Sequence, residues 1–250
     1  MSKKRLLVLE DGHVFEGIAF GGNDFKMGEI VFHTGMMGYQ DVISDSSYCG
    51  QIVMMTYPMV GNFGINRDGF ESIEPALFGF VVGEYCEKPN NWRCEMSFDE
   101  FLTLKKIPGI ADIDTRMLTK LIRKNGTMKA IMCDADADVD AVVKMLKETS
   151  LPTDQVKMVS TSRAFQVPNR GDKVVLIDCG NKNAILRELN MMNMNITTMM
   201  KNVNVGITTS IIITITTSTV TADATITTIT DIITITTPTR SLQAGAERRY

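Results

Sequence analysis

The sequence predicts an α/β protein with a β-rich N-terminal domain, the start of a second domain built on a parallel sheet, and a low-complexity tail. Short segments of apolar and β-branched residues, typical of strands, recur through the first hundred residues. Residues 173–178 form a continuous apolar run, as in a strand buried on both faces of a parallel sheet. Of the 33 residues from 207 to 239, 15 are Thr and 10 are Ile, which sets the tail apart.

We expect four regions along the chain. In order they are the β-rich domain (1–150), a linker (151–172), the first elements of the second domain (173–202) and the tail (203–250). The linker is predicted because hydrophobic periodicity is lost there and Pro152, Pro168 and Gly171 interrupt the chain.

The β-rich domain begins with a predicted hairpin. Asp11-Gly12 lies between two apolar segments, 6–9 and 14–20, and favours a tight turn in which both central residues have φ > 0. Further strands are expected at 30–34, 51–57 and 78–85 because these segments are rich in β-branched and apolar residues.

Three helices follow in the same domain. Ser97-Phe-Asp-Glu100 is a capping box that predicts a helix to about Lys105. A second helix is expected from Asp114 or Thr115 to residue 124, where Asn125-Gly126 provides a stop signal. A third is expected at 139–148.

The second domain is predicted to start with a strand at 173–178, a turn at 179–183 and a helix at 184–190. An α/β domain begins with a strand, a turn and a helix in this order. Further strand–helix units are needed to cover both faces of its sheet. The tail has too few turn and helix formers to supply them, and its composition favours an aggregation-prone β segment.

Composition excludes several classes of function. The net charge of −3 gives no basic surface for nucleic acid or for an anionic membrane. No apolar run approaches the roughly 18 residues of a membrane span, and residues 6–9 are too short for a signal peptide, so a cytoplasmic location is expected. The five cysteines lack CxxC spacing, and neither a zinc site nor a disulfide framework is expected.

An ordered set of motifs runs through most of the chain. It includes Leu9-Glu-Asp-Gly-His-Val-Phe-Glu-Gly17, Gly28-Glu-Ile-Val-Phe32, Thr34-Gly-Met-Met-Gly-Tyr-Gln40, Thr56-Tyr-Pro58, Asn91-Trp-Arg-Cys94, Asp114-Thr-Arg116 and Val174-Val-Leu-Ile-Asp178. Together these motifs resemble the small, glutamine-hydrolysing subunit of carbamoyl-phosphate synthetase.

The resemblance implies an N-terminal small-subunit domain followed by a class I glutamine amidotransferase domain, which uses a Cys nucleophile, a His base and an orienting Glu. It implies glutamine as substrate and the large subunit as partner. Ammonia would pass through a tunnel to the large subunit, which makes carbamoyl phosphate from bicarbonate for arginine and pyrimidine biosynthesis. We expect no cofactor on this chain, with ATP and Mg on the large subunit.

The resemblance also assigns one candidate binding residue. Ser47 stands where the family has a serine that contacts bound glutamine, and a hydroxyl there can both donate and accept hydrogen bonds. The alternative is a turn serine that bonds its own backbone. The family usually has Pro at the position of Ser46 and Asn at the position of His33. We expect His33 to be a half-buried histidine without a catalytic role.

Lys182 and Asn183 also have counterparts in the family. Their alternative interpretation is the N-terminal turn of a helix.

No catalytic residue is predicted. A class I amidotransferase needs a G-x-C-x-G elbow, and this sequence has none. Cys179 lies after the first strand of the second domain, where the family usually has an aromatic residue, and only His13 and His33 could serve as bases. We therefore expect a truncated or corrupted amidotransferase domain without glutaminase activity. The alternative is a non-catalytic protein that only docks on the large subunit.

Overall fold

The computed structural model describes residues 3–72, 74–200, 211–216 and 234–236, the last two ranges by their backbone only. The strands are β1 (Lys4–Leu9), β2 (Val14–Gly21), β3 (Gly28–His33), β4 (Gln51–Met55), β5 (Met59–Val60), β6 (Gly79–Val81), β7 (Glu84–Tyr85), β8 (Pro108–Ala111), β9 (Met128–Asp134), β10 (Phe165–Val167), β11 (Lys173–Cys179), β12 (Asn195–Met200), β13 (Ile211–Thr216) and β14 (Thr234–Thr236). The helices are α1 (Tyr39–Ser44), α2 (Phe98–Leu104), α3 (Thr115–Asn125), α4 (Val139–Glu148), α5 (Gln155–Val159) and α6 (Asn183–Met191).

The N-terminal part is a closed barrel with the strand order β1-β2-β8-β6-β4-β3-β9, which confirms that this part of the chain is rich in β-structure. The pairs β3–β4, β4–β6 and β6–β8 are parallel, and the other pairs of the barrel are antiparallel. Pairing of β1 with β9 closes the barrel. The short strands β5 and β7 pair with each other outside it.

The core follows the two-residue period of the strands. Along β4, Ile52 and Met54 belong to one buried cluster, which also includes residues of β1, β9 and α3. Val53 and Met55 belong to a second cluster, in which α1 and α2 cover the other face of the strand. Burial of both faces explains why this strand is apolar at nearly every position.

The helices with strong local signals lie where they are predicted. The capping box of α2 is formed, since the Ser97 side chain accepts from the backbone N–H of Glu100 and the Glu100 side chain accepts from that of Ser97. Asp114 caps α3 by accepting from the backbone N–H of Met117 at 2.8 Å. Gly126 ends α3 with φ = 78°, in the left-handed region.

The first hairpin lies where it is predicted, but its turn differs from the prediction. Gly12 has φ = 92°, whereas Asp11 does not have positive φ. The Gly12 N–H donates to the Leu9 carbonyl at 3.0 Å, and the Leu9 N–H donates to the His13 carbonyl at 2.9 Å. The loop is therefore longer than a two-residue turn, and one left-handed glycine is enough to close it.

The second part of the chain forms a sheet with the order β10-β12-β11-β13-β14, in which β12, β11 and β13 are parallel. The strand and the helix predicted at its start are β11 and α6. The region predicted as a linker is not without structure, because it contains α5 and also β10, which pairs with β12 as an antiparallel edge strand. The second sheet therefore begins within residues 151–172.

Part of the tail continues this sheet. Strand β13 pairs with β11 from Val174↔Ile211 to Cys179↔Thr216, and β14 pairs with β13. The predicted β character is thus present at 211–216 and 234–236. The remaining tail residues lie outside the described part of the chain, and the predicted lack of a layered domain there stays a prediction.

The described helices are short. The longest, α3, has 11 residues, and no helix in the described part of the chain is long and apolar enough to cross a membrane.

Arg5 fixes one end of the barrel. Its side chain is 1% exposed, and its guanidinium donates to the carbonyls of Phe20 at 2.9 Å, Gly22 at 2.9 Å and Gly109 at 2.6 Å. It also donates to Asn23 Oδ1 at 2.6 Å. These bonds join β1 to β2, to the loop after β2 and to β8, so one buried cation links β1 to three neighbouring segments.

Replacing Arg5 with Met should lower the free energy of unfolding by about 3 kcal/mol or more, because the four hydrogen bonds of the buried guanidinium are lost together. Urea denaturation would measure the loss. Lys3→Met is the matched control, since Lys3 is an exposed cation just before β1 that pairs with Asp134. It should cost about 0.5 kcal/mol or less, and equal losses in the two variants would contradict the role given to Arg5.

Candidate ligand site between the barrel and the second sheet

The second sheet has a topological switch point at the carboxyl end of β11. The chain passes from β11 through α6 to β12 on one side, and the next described strand, β13, lies on the other side of β11. In open α/β sheets, ligands bind outside the carboxyl ends of the strands where the strand order reverses in this way. The turn that follows Cys179 is therefore the candidate site.

Asp178 holds this turn in place. Its Oδ1 accepts from the backbone N–H groups of Gly180 at 2.9 Å and Asn181 at 2.8 Å, and its Oδ2 accepts from that of Thr161 at 2.8 Å. The residue is 6% exposed, and three donors compensate the burial of its charge. The turn after β11 and the segment after α5 are thus tied to one carboxylate.

A turn of the barrel domain contacts this site. Residues Ser46–Tyr48 form one turn of 3₁₀-helix, and the hydroxyl of Ser46 donates to the Gly180 carbonyl at 2.6 Å in a buried position. A proline, which the family usually has at position 46, could not donate this bond. Ser46 therefore provides a hydrogen bond between the barrel and the second sheet that a proline would lack.

Ser47, the binding residue implied by the resemblance, lies in this turn and is 3% exposed. Its backbone N–H and its hydroxyl both donate to Asp45 Oδ1, at 2.9 Å and 2.6 Å. The side chain thus bonds a carboxylate two residues earlier, not its own backbone. Contact between Ser47 and glutamine stays a prediction.

Asp45 joins the two groups of residues that the resemblance suggested separately. Its Oδ2 lies 3.3 Å from the Lys182 ammonium, and both side chains are mostly buried. One carboxylate therefore contacts Ser47 of the barrel domain and Lys182 of the second sheet. Sequence reasoning did not select Asp45, although an Asp two residues before a Ser is a common turn signal.

The N-terminus of α6 is capped from the barrel side. Lys182 is the N-cap residue and makes no capping bond with its own side chain. Instead, the Asn183 N–H donates to the Glu71 carbonyl at 2.7 Å, and the Ala184 N–H donates to Glu71 Oε2 at 3.2 Å. A carboxylate at a helix N-terminus is electrostatically favourable, so Glu71 replaces the missing local cap.

A cavity of about 570 Å³ opens beside these contacts, between the barrel and the second sheet. Its walls include Phe78, Lys106 and Ser46 of the barrel domain and Asp178 and Asn181 of the second sheet, but not Ser47. The volume is within the range of small-molecule sites.

Each of the two histidines contacts an oxygen atom of a neighbouring side chain. His33 Nδ1 lies 3.0 Å from the Tyr48 hydroxyl, and His13 Nδ1 lies 3.0 Å from a carboxylate oxygen of Asp11. Burial raises the pKa of the Cys49 thiol, and that of Cys133 likewise. A raised thiol pKa is the opposite of what activates a cysteine nucleophile.

His33 is half-buried, as predicted. Burial lowers the pKa of its imidazole from the usual 6.5, and the negative charge of Asp45 opposes this change. The folded state therefore binds this proton less readily than the unfolded chain. The contribution of neutral His33 to stability is complete above pH 6.5 and is lost as the pH falls through the lower pKa of the folded state.

His33→Asn should flatten the dependence of stability on pH below about 6.5. The free energy of unfolding would be measured from about pH 7 to pH 5 for the wild type and the variant. The wild type should lose more stability than His33→Asn over this range, and an NMR titration of the His33 ring should give a midpoint below the ordinary value. Parallel stability profiles would contradict this assignment.

Asp178→Asn should loosen the turn after β11, because an amide offers one acceptor oxygen and places an N–H₂ group against a backbone donor. We expect hydrogen exchange at the Thr161, Gly180 and Asn181 amides to become faster, by an amount equivalent to about 2 kcal/mol. Asp172→Asn, at an exposed residue just before β11, should leave these rates unchanged. Unchanged exchange in Asp178→Asn would show that the turn does not depend on this carboxylate.

Comparison with known proteins shows to which family this chain is similar. Residues 7–132, which span most of the barrel, match the family model described as carbamoyl-phosphate synthase small chain, CPSase domain. The carbamoyl phosphate synthase pyrimidine-specific small chain of Bacillus subtilis is 52% identical over 200 residues, which cover 80% of this chain and 55% of that protein. The small chain of Oceanobacillus iheyensis is 54% identical over 200 residues, with the same shares of the two chains.

The small chain of Streptococcus pneumoniae is 55% identical over 196 residues, which cover 78% of this chain and 55% of that protein. Among solved structures, an aminopeptidase from Aneurinibacillus sp. strain AM-1 matches with a TM-score of 0.30 and 13% identity over 79% of this chain and 49% of that chain, which is too low to indicate a common fold.

The chain thus spans little more than half the length of these relatives. Because the family model matches 126 of its 250 residues and these relatives are more than half identical to it, the chain belongs to the carbamoyl-phosphate synthase small chain family.

Proposed function

We propose that this chain acts as a small chain of a two-chain carbamoyl-phosphate synthase and docks on the large chain through its barrel domain. The observation that carries the proposal is the position of the Ser46 turn. In this family member, Ser46 donates to Gly180 at the switch point of the second sheet, so the turn that carries Ser46 and Ser47 contacts the loop beside which α/β domains bind their ligands. This arrangement supports glutamine as the ligand.

In the complete reaction, glutamine would supply ammonia, and the large chain would use ATP, Mg and bicarbonate to make carbamoyl phosphate. This chain would bind neither ATP nor metal itself, and the complex would work in the cytoplasm. The name of the Bacillus subtilis relative includes "pyrimidine-specific", which supports pyrimidine biosynthesis as the destination of the product. Arginine biosynthesis is the other route that the family serves.

We infer that these 250 residues do not hydrolyse glutamine by themselves. The sequence lacks a G-x-C-x-G elbow, so neither a projecting thiolate nor the backbone oxyanion hole beside it is provided. Its two histidines, His13 and His33, belong to the barrel domain and contact Asp11 and Tyr48.

A second candidate is a non-catalytic docking protein. In this case the barrel occupies its place on the large chain while ammonia comes from solution. The closed barrel and its own buried clusters favour this candidate, because they provide a folded surface without any contribution from an active site.

Co-expression with the large chain of the Bacillus subtilis enzyme tests these proposals. We expect this chain to co-purify with the large chain, to release no glutamate from glutamine above the rate of the large chain alone, and to leave ammonia-dependent carbamoyl phosphate synthesis intact. The Bacillus subtilis small chain is the positive control for both binding and glutamate release. Glutamate release by the purified complex would contradict the proposed inactivity, and failure to co-purify would contradict docking.

A further inference from the structure

Helix α3 presents a face on which every charged residue is positive. It is formed by the exposed residues Arg116, Lys120, Arg123 and Lys124, and we call it the basic face. With about 3.6 residues per turn, the four side chains fall within an arc of roughly 100°, opposite the buried Leu118. The chain as a whole has a net charge of −3, so this local excess of positive charge is not visible in its composition.

The stability of α3 does not explain the basic face. Arg116 lies in the first turn of the helix, where a cation opposes the helix dipole. Lys120 lies four residues from both Arg116 and Lys124, and like charges at this spacing destabilise a helix. Only Arg123 and Lys124, in the last turn, interact favourably with the dipole. A face that lowers the stability of its own helix favours a role in contact with another molecule.

No carboxylate among the described residues forms an ion pair with the basic face. The ion pairs found there involve other cations, such as Lys129 with Glu10. Asp112 and Asp114 precede α3, and Asp114 serves as its cap. The four cations are therefore complementary to an acidic surface outside this part of the molecule.

The same chain carries an acidic surface between β9 and α4. It is formed by Asp136, Asp138 and Asp140, which are all exposed, and we call it the acidic segment. Residues 133–143 contain no Lys or Arg. Asp138 accepts from the backbone N–H groups of Asp140 and Ala141 as the cap of α4, so the segment has a fixed conformation. It offers several carboxylates close together to a basic partner.

Helix α3 lies across one end of the barrel. Just before the helix, the Asp112 N–H donates to the Gly83 carbonyl at 2.9 Å, in the loop after β6. At its last residue, the Asn125 amide donates to Asp11 Oδ2 at 3.1 Å, in the turn after β1. Strands β1 and β6 run in the same direction, so the basic face lies at the end of the barrel where both strands finish.

The acidic segment lies at the other end of the barrel. It follows β9, whose last residue, Asp134, pairs with Arg5 near the start of β1. Strand β1 has six residues, so the two ends are roughly 20 Å apart. The basic face and the acidic segment are therefore too far apart to pair within one chain, but two copies placed end to end bring them together.

We propose that the basic face of one copy of this chain binds the acidic segment of a second copy. Because the two surfaces differ, the contact is heterologous and leaves one surface of each kind free, so further copies can add head to tail. Exposed charges are screened by salt, so the association is strongest at low ionic strength. This inference does not depend on the proposed function.

Sedimentation velocity of the full chain over a range of concentrations tests the proposal. In about 0.01 M salt, where the Debye length is about 30 Å, the wild type should form dimers and larger species. In about 1 M salt, where this length is about 3 Å, it should be monomeric. A monomer at low salt would overturn the proposal, and so would association that high salt leaves unchanged, since apolar segments would then cause it.

Lys120→Glu reverses the charge at the centre of the basic face and should lower the association constant at least tenfold. Lys157→Glu is the matched control, because Lys157 is an exposed lysine on α5 and the change in charge is the same. It should associate like the wild type. The unfolding temperature of Lys120→Glu should not fall, since the reversal removes repulsion within α3. Equal association of Lys120→Glu and the wild type would contradict the role of the basic face.

A mixture of two variants tests the pairing itself. Asp136→Lys reverses a charge of the acidic segment and should also weaken self-association. An equimolar mixture of Lys120→Glu and Asp136→Lys should associate, because each altered surface meets an opposite charge on the other variant. Both variants keep a net negative charge, since a reversal changes the net charge of −3 by two, so net attraction cannot produce this result.

Two outcomes of these experiments would identify another arrangement. A mixture that remains monomeric would show that the two surfaces do not meet, and the proposal would fail. A wild type that stays monomeric but binds polyaspartate, with binding lost in Lys120→Glu, would show that the basic face takes an acidic segment of a different protein. The second copy would then be wrong as its occupant.

Discussion

The carboxylate of Asp178 is the constraint on which the candidate site depends. A buried charge needs donors, and Asp178 takes them from Gly180 and Asn181 in its own turn and from Thr161 in the preceding connection. The turn after β11 is thereby fixed with the Gly180 carbonyl directed at the barrel, where the Ser46 hydroxyl meets it. The contacts of Asp45 and Glu71 then follow, because Lys182 and the start of α6 come directly after this turn.

Features that depend on neighbouring residues could be predicted from the sequence. The caps of α2 and α3 involve residues three apart, Ser97 with Glu100 and Asp114 with Met117, so the sequence contains all that they need. The same holds for the location of the first hairpin, although its loop length depends on how β1 and β2 pair.

Features that depend on distant residues could not be predicted. Strand β10 has three residues and exists because it pairs with β12, so its region looked like a linker. Ser47 was selected by family resemblance, but its neighbours Asp45 and Lys182 meet only when the second sheet packs on the barrel. Glu71 was missed for the same reason, because a cap supplied by residues more than a hundred positions away leaves no local pattern.

The bond made by Ser46 couples the local unfolding of the barrel turn to that of the second sheet. A proline stiffens a turn by restricting the unfolded chain, and this effect does not require any other part of the protein. The Ser46 hydroxyl instead bonds to Gly180, so its contribution exists only while the second sheet is in place. The binding turn of the barrel and the start of the second sheet therefore form one cooperative unit, in which local opening of either part releases the other.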